Sequence, residues 1–243
     1  MSLFKSCFER YYYCLSFAFM AMTIVPLCAS AQQSSMVSAT ITNATTMDAY
    51  YQNYTNGNTQ EKIALIKGLP NALSQFAERR MPTDTDTTKI SGSRLTAKQM
   101  LQNALRDSSE ELSSLALVSI GENGFSELTN DVLNIYNTAS GSLNKRSAAL
   151  RSLAALNYPQ LLTLLNSILQ SQTINQITST ALRVIDSQKL CKTIPNVKSL
   201  AQRAADMNAP SLKENKRPSD VLLEISQNAE SVFQHLISNG PCN

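Results

Sequence analysis

The chain has 243 residues, of which 43% are hydrophobic and 16% are charged. It is therefore long enough for one globular domain or one elongated stack of helices. Its formal net charge of +3 is close to neutral, so nothing in the charge indicates a nucleic-acid or strongly acidic partner, and we expect no nucleic-acid partner.

The N-terminal segment, residues 1–31, has the pattern of a secretory signal peptide. Lys5 and Arg10 precede an apolar stretch at residues 15–27, and residues 29–31 supply the small side chains that a signal peptidase requires. The apolar stretch is shorter than the roughly 20 residues of a transmembrane helix. We therefore predict cleavage after Ala31 and an exported protein, periplasmic or secreted, with no stable membrane insertion. An uncleaved anchor is the alternative.

Cys28 opens a further alternative, in which the exported chain is anchored through a lipid. Residues 25–28 loosely resemble the motif that precedes a lipidated cysteine. However, Leu27 stands where that motif has a glycine or an alanine. Export without a lipid anchor therefore remains the prediction.

Cleavage after Ala31 would leave residues 32–243, which contain two of the five cysteines, Cys191 and Cys242. In an oxidising compartment an even pair of cysteines is typical of a disulfide. The bond would close a loop of about 50 residues and constrain the unfolded chain. We predict this disulfide, and two separate thiols are the alternative.

The mature chain is interpreted as a flexible leader, residues 32–46, followed by a single helical-repeat domain, residues 47–243. The leader is rich in Ser, Thr and Gln and has few large apolar side chains to bury. The domain begins with N-terminal helices over residues 47–107. In the first of these, the spacing of Tyr50 and Tyr54 places both rings on one face, where we expect them to pack against the body.

Two further elements are predicted within residues 47–107. Apolar residues at helical spacing over 60–80, interrupted by Pro70, predict two short helices or one kinked helix. Residues 81–94 combine Pro, Gly and β-branched polar residues, which predicts a long exposed loop. Thr96 and Gln99 then have the spacing of a capping box that starts the next helix.

Residues 109–205 carry a helical pattern that is repeated along the chain. Residues 146–170 align with residues 113–137 after a shift of 33, and a weaker third copy follows after a shift of 32. A recurrence of this length is typical of stacked helical hairpins, each too small to bury its own apolar face. The aligned sets are Leu117, Leu150 and Leu182; Ile120, Leu153 and Ile185; Phe125, Tyr158 and Leu190; Leu128 and Leu161; Val132, Leu165 and Val197; and Ile135, Ile168 and Leu200.

The third copy is predicted to end near Pro195, because proline stops or bends a helix. Residues 207–219 then predict a polar connector with two prolines. The last helix, residues 218–238, carries one apolar stripe that suits a capping helix over the open end of a stack. The stripe consists of Leu222, Ile225, Ala229, Val232 and Leu236.

The repeat resembles the short HEAT-like repeat of the armadillo-like class, whereas the signatures of tetratricopeptide and ankyrin repeats are missing. The resemblance implies an all-α fold, namely a right-handed α–α superhelix of helical hairpins. It also implies a groove that binds a protein or peptide partner. The residues that carry it are Arg146, Ala148, Ala149, Leu150, Leu153 and Ala154 in the first helix and Leu161, Leu164, Leu165 and Ile168 in the second.

The sequence contains few groups that suit catalysis. Its single histidine, His235, excludes multi-histidine zinc sites, and Asp84–Asp86 lack the ligand spacing of a calcium loop. We therefore predict an exported, non-catalytic interaction module with no catalytic residue, metal or cofactor. The rival is an all-helical exported hydrolase, or an accessory subunit of an envelope enzyme, that uses carboxylates such as Glu110, Glu111 and Glu122.

Overall fold

A computed structural model describes residues 44–78, 87–213 and 220–238. These residues form α-helices and two short 3₁₀ segments, without a strand, which confirms the all-α prediction. The predicted signal peptide, almost all of the leader and Cys242 lie outside the described residues. The helices are α1 (Met47–Asn56), α2 (Thr59–Glu78), α3 (Thr87–Leu105), α4 (Glu110–Glu122), α5 (Thr129–Thr138), α6 (Leu143–Ala155), α7 (Leu161–Gln170), α8 (Gln176–Gln188), α9 (Ile194–Lys213) and α10 (Asp220–Ser238).

Helix α1 packs through its tyrosines, as the sequence predicts. Tyr50 and Tyr54 are buried, and the Tyr50 hydroxyl donates a hydrogen bond to the carbonyl of Leu65 in α2 at 2.5 Å. Helix α2 is one continuous helix that contains Pro70. Helices α2 and α3 both pack against α4, so the N-terminal helices are joined directly to the first recurring pair.

The predicted loop over residues 81–94 is wrong in its second half, because α3 begins at Thr87. Residues 79–86, with Asp84 and Asp86, lie outside the described residues. The predicted capping box is also wrong, since Thr96 lies inside α3 and its hydroxyl donates to Oδ1 of Asp48 at 3.1 Å.

Arg94 of α3 contacts a segment that is distant in sequence. Its Nη2 donates to the carbonyl of Gly124 at 2.7 Å, and its Nε donates to Glu127 at 3.0 Å. Its guanidinium carbon also lies 4.4 Å from the centroid of the Phe125 ring. These tertiary contacts stabilise a helical turn that the local residue types disfavour.

Three helices of equal length begin at regular intervals of 33 residues within 110–213, close to the predicted shifts of 33 and 32. Helices α4, α6 and α8 have 13 residues each and begin at the evenly spaced positions Glu110, Leu143 and Gln176. Each is followed by a turn and a second helix: α5, α7 and α9. The residue before each first helix is a polar N-cap whose side chain accepts a backbone N–H, and these residues are Ser109, Ser142 and Asn175.

The turn after each first helix also recurs. Gly124, Asn157 and Lys189 occupy equivalent positions and have φ values of 62°, 54° and 52°, in the left-handed region. The residue that follows each of these three donates its backbone N–H to the carbonyl five residues earlier, at 3.0 Å. After Gly124, for example, Phe125 donates to Ile120. One glycine and two other residues thus end their helices in the same way.

The core lies mainly along the first helices of the three pairs. Helix α6 packs against both α4 and α8, and α5 packs against α6. Helix α7 contacts α8 and α9. Leu117, Leu150 and Leu182, which the sequence alignment makes equivalent, are all at most 1% exposed on α4, α6 and α8.

Helices α4 and α6 approach closely at Gly121. A Cβ atom there would lie 3.0 Å from Cα of Ser152 and 3.2 Å from Cβ of Ala155. We therefore expect Gly121→Val to lower the free energy of unfolding by about 1–3 kcal/mol, because the backbone of α6 would have to move. Urea unfolding followed by circular dichroism measures this change.

Gly141 provides the matched control, since a Cβ atom added there would have no heavy atom within 4 Å. We expect Gly141→Val to change stability by less than about 0.5 kcal/mol. Equal losses in both variants would contradict a close α4–α6 contact.

The predicted break at Pro195 is wrong. Pro195 is the second residue of α9 and lies in its first turn, where a backbone N–H has no partner within the helix. Helix α9 continues to Lys213, so the first half of the predicted connector at 207–219 is helical. Residues 214–219 lie outside the described residues.

Helix α10 corresponds to the predicted last helix, with a described start at Asp220. It packs against α9 and α8. Four of the five stripe residues are buried and Leu222 is half-buried, so the predicted apolar face is the packed face. The buried residues are Ile225, Ala229, Val232 and Leu236.

Candidate functional site

A pocket of about 300 Å³ lies where α6, α8 and α10 meet. We call it the two-arginine pocket. Its lining combines two arginines, several hydroxyl or amide groups, one carboxylate and two apolar side chains from the three helices. The lining residues are Ser147 and Arg151 of α6; Gln176, Ser179, Thr180 and Arg183 of α8; and Val221, Glu224 and Ile225 of α10.

The recurrence of the helices places both arginines at this pocket. Ser147 and Arg151 are four residues apart on α6, so they lie one above the other on the same face. Ser179 and Arg183 have the same spacing on α8. Because α6 and α8 pack side by side, the two serine–arginine pairs line the same pocket.

The arginines of the pocket are exposed and have no protein partner among the described residues. Within the part of the chain that the structure describes, neither Arg151 nor Arg183 has a hydrogen-bond or ion-pair partner. Ser147 is 4% exposed, and its hydroxyl likewise has no partner there. Glu224 accepts a hydrogen bond from Asn228 at 3.4 Å. Two cations and one anion therefore give the pocket a net charge of +1.

A second pocket, of about 290 Å³, lies near the N-terminus of α8. Its arginine, Arg146, is engaged, because Nε donates to the carbonyl of Tyr136 at 3.1 Å. The Arg146 guanidinium also lies 4.9 Å from the centroid of the Tyr136 ring. Arg146, one of the residues that carry the HEAT-like resemblance, thus connects α6 to α5.

Glu122 does not form an acid pair with Glu110 or Glu111. Glu110 and Glu111 are in the first turn of α4 and Glu122 is its last residue. The rise of about 1.5 Å per residue separates the two ends by roughly 17 Å, more than the ~5–9.5 Å that glycosidases use. Hydrogen bonds from Ser142 and Asn144 also lower the pKa of the Glu110 carboxyl, whereas a general acid requires a raised one.

His235 lies in the last turn of α10 with its side chain exposed, and its Nδ1 contacts Oδ1 of Asp186 in α8. This contact joins the end of α10 to the end of α8 and lies outside the two-arginine pocket. Cys191 begins a 3₁₀ segment after α8, and Cys242 is outside the described residues.

The described ranges contain no group of three or more His, Cys, Asp or Glu residues that could hold a metal ion. No helix within those same ranges is long and apolar enough to cross a membrane.

Arg151 and Arg183 were not among the residues predicted to form a site. The signal was present, since residues 147–151 read Ser-Ala-Ala-Leu-Arg and residues 179–183 read Ser-Thr-Ala-Leu-Arg. The leucine of each pentapeptide belongs to the core, and the recurrence is most visible at such apolar positions. The polar positions recur just as closely and face the pocket.

Comparisons with models of known protein families, with curated protein sequences and with solved structures gave no match.

Proposed function

We propose that this chain is an exported, non-catalytic interaction module that binds a protein or peptide in a groove along its helical pairs. The proposed fold is a right-handed α–α superhelix of HEAT-like pairs that ends in α10. Support comes from the regular recurrence of α4, α6 and α8 and from the shared turn after each of them. Repeat proteins with such stacking bind extended partners on continuous surfaces.

The observation that carries the proposal is the two-arginine pocket. Two successive pairs and the terminal helix together present charged, hydroxyl and apolar groups at one place. Val221 is 51% exposed at this pocket, and Leu223 on the same helix is 42% exposed. Apolar side chains beside arginines are typical of surfaces that bind proteins or peptides.

Site-specific photo-crosslinking tests the proposal. A benzophenone amino acid replaces Val221 at the pocket or, as the control, Leu95, which is 63% exposed on α3. After irradiation in the envelope and secreted fractions of the native cells, we expect discrete protein or peptide adducts from position 221 only. The same adducts from both positions, or none from position 221, would contradict a partner surface at this pocket.

A further inference from the structure

We infer that the two-arginine pocket binds a single carboxylate group of a peptide, from either an acidic side chain or a free C-terminus. This inference rests on the proposed function and specifies its ligand chemistry. Arg151 and Arg183 would bind the carboxylate oxygens, and the hydroxyl groups of α6 and α8 would assist. The apolar side chains of Val221 and Ile225 would contact the aliphatic part of the ligand.

The state of the arginines favours an anion. A guanidinium group presents several N–H donors in a planar fork that matches the two oxygens of a carboxylate. Both arginines line the pocket, are exposed to solvent and have no protein partner in the described ranges, so their guanidinium groups are accessible to a ligand. By contrast, Arg94 and Arg146, which lie outside this pocket, are engaged by carbonyl, carboxylate or aromatic groups.

Ser147 adds a buried hydroxyl to the lining of the pocket. Ser147 is 4% exposed and lines the pocket, yet its hydroxyl has no hydrogen-bond partner among the described residues. In a helix, such a hydroxyl ordinarily bonds to a carbonyl one turn earlier, as Thr180 does to Gln176 at 3.0 Å. An unsatisfied buried hydroxyl is unfavourable, but Ser114 and Ser152, which do not line the pocket, also have buried hydroxyls without a partner in the described ranges, so this feature is not specific to the pocket.

The charge of the pocket favours a carboxylate over a phosphate. Glu224 lies in the same lining as Arg151 and Arg183, so the net charge is +1. A phosphate monoester carries close to two negative charges at neutral pH and would be repelled by Glu224 more strongly than a monoanion would. A volume of about 300 Å³ is also at the lower limit of small-ligand sites, which suits one or two side chains.

Three fluorescein-labelled octapeptide libraries test the inference by fluorescence anisotropy with the purified protein. The first has a central Glu and an amidated C-terminus, the second has a central Gln and an amidated C-terminus, and the third has a central Gln and a free C-terminus. All other positions are randomised over uncharged residues. We expect at least one of the two carboxylate libraries to bind about tenfold more tightly than the amidated Gln library.

Four variants identify the groups responsible. We expect Arg151→Gln and Arg183→Gln each to weaken binding of the preferred library about tenfold. Glu224→Gln should tighten it, because the net charge rises to +2. Arg106→Gln removes the same charge from an exposed position just after α3 and should leave binding unchanged. A merely structural role of the arginines would not produce opposite effects at Arg183 and Glu224.

Equal binding of all three libraries would overturn the carboxylate inference but leave the peptide-binding function in place. Stronger displacement of the peptide by inorganic phosphate than by acetate would also overturn it. Binding of none of the libraries would overturn the inference, and the crosslinking from position 221 would then decide separately on the proposed function.

Discussion

Leu150→Ala is expected to lower the free energy of unfolding by about 2–5 kcal/mol. Leu150 is 0% exposed on α6, which packs against both α4 and α8. Truncation of the Leu150 side chain would leave a cavity between α4, α6 and α8. These helices would not readily close it, because N-caps and turns hold their ends in place. Urea unfolding followed by circular dichroism measures this free energy. An unchanged dependence of the free energy on urea concentration would show that the folded and unfolded states expose the same surface as in the wild type.

Leu143 provides a control in the same helix. It is the first residue of α6 and is 37% exposed. We therefore expect Leu143→Ala to cost less than about 1 kcal/mol, because the side chain loses less buried surface than that of Leu150. Similar losses for Leu143→Ala and Leu150→Ala would contradict the register in which Leu117, Leu150 and Leu182 form the core.

The recurring pairs could be predicted because their signals are local. Each first helix carries its own buried stripe, and Leu117, Leu150 and Leu182 repeat at the spacing that the helix bounds then follow. The polar N-cap at Ser109 is a similarly local signal. Patterns of this kind depend on residues within a few turns of each other, so the sequence displays them directly.

The errors arose at helix starts, which the local residue types did not determine. The first two turns of α3 contain glycine and β-branched residues, and Arg94 stabilises them through contacts with Gly124 and Glu127, which are distant in sequence. Pro195 was interpreted as a helix breaker, although the same residue type is favoured in a first turn. Only the position of the helix start distinguishes the two outcomes.

The two-arginine pocket could not be predicted as a site, although half of its lining could be read from the sequence. The recurring serine–arginine pairs are visible in residues 147–151 and 179–183. Their meaning depends on α10, whose residues Val221 and Glu224 complete the pocket. The stripe of α10 indicates which face it buries but not which helices it packs against, and that choice creates the pocket.

Cys242→Ser is expected to lower the free energy of unfolding by roughly 4 kcal/mol, the value for a disulfide that closes a loop of about 50 residues. Among the described residues, His235 near the end of α10 contacts Asp186, which closely precedes Cys191. Cys242 follows Ser238 after a short segment that can span up to about 13 Å. The Cys191–Cys242 bond remains a prediction, since Cys242 lies outside the described residues.

Urea unfolding of the wild type and of Cys242→Ser, each with and without a reducing agent, tests this bond. We expect the two proteins to differ without reductant and to become equal in its presence, because reduction removes the same constraint from the wild type. Peptide mapping without reduction should recover the peptides of Cys191 and Cys242 joined to each other. Separate recovery of the two peptides, or a wild type whose stability is insensitive to reduction, would show that the bond does not form and that contacts of α10 with α8 and α9 alone hold the last helix in place.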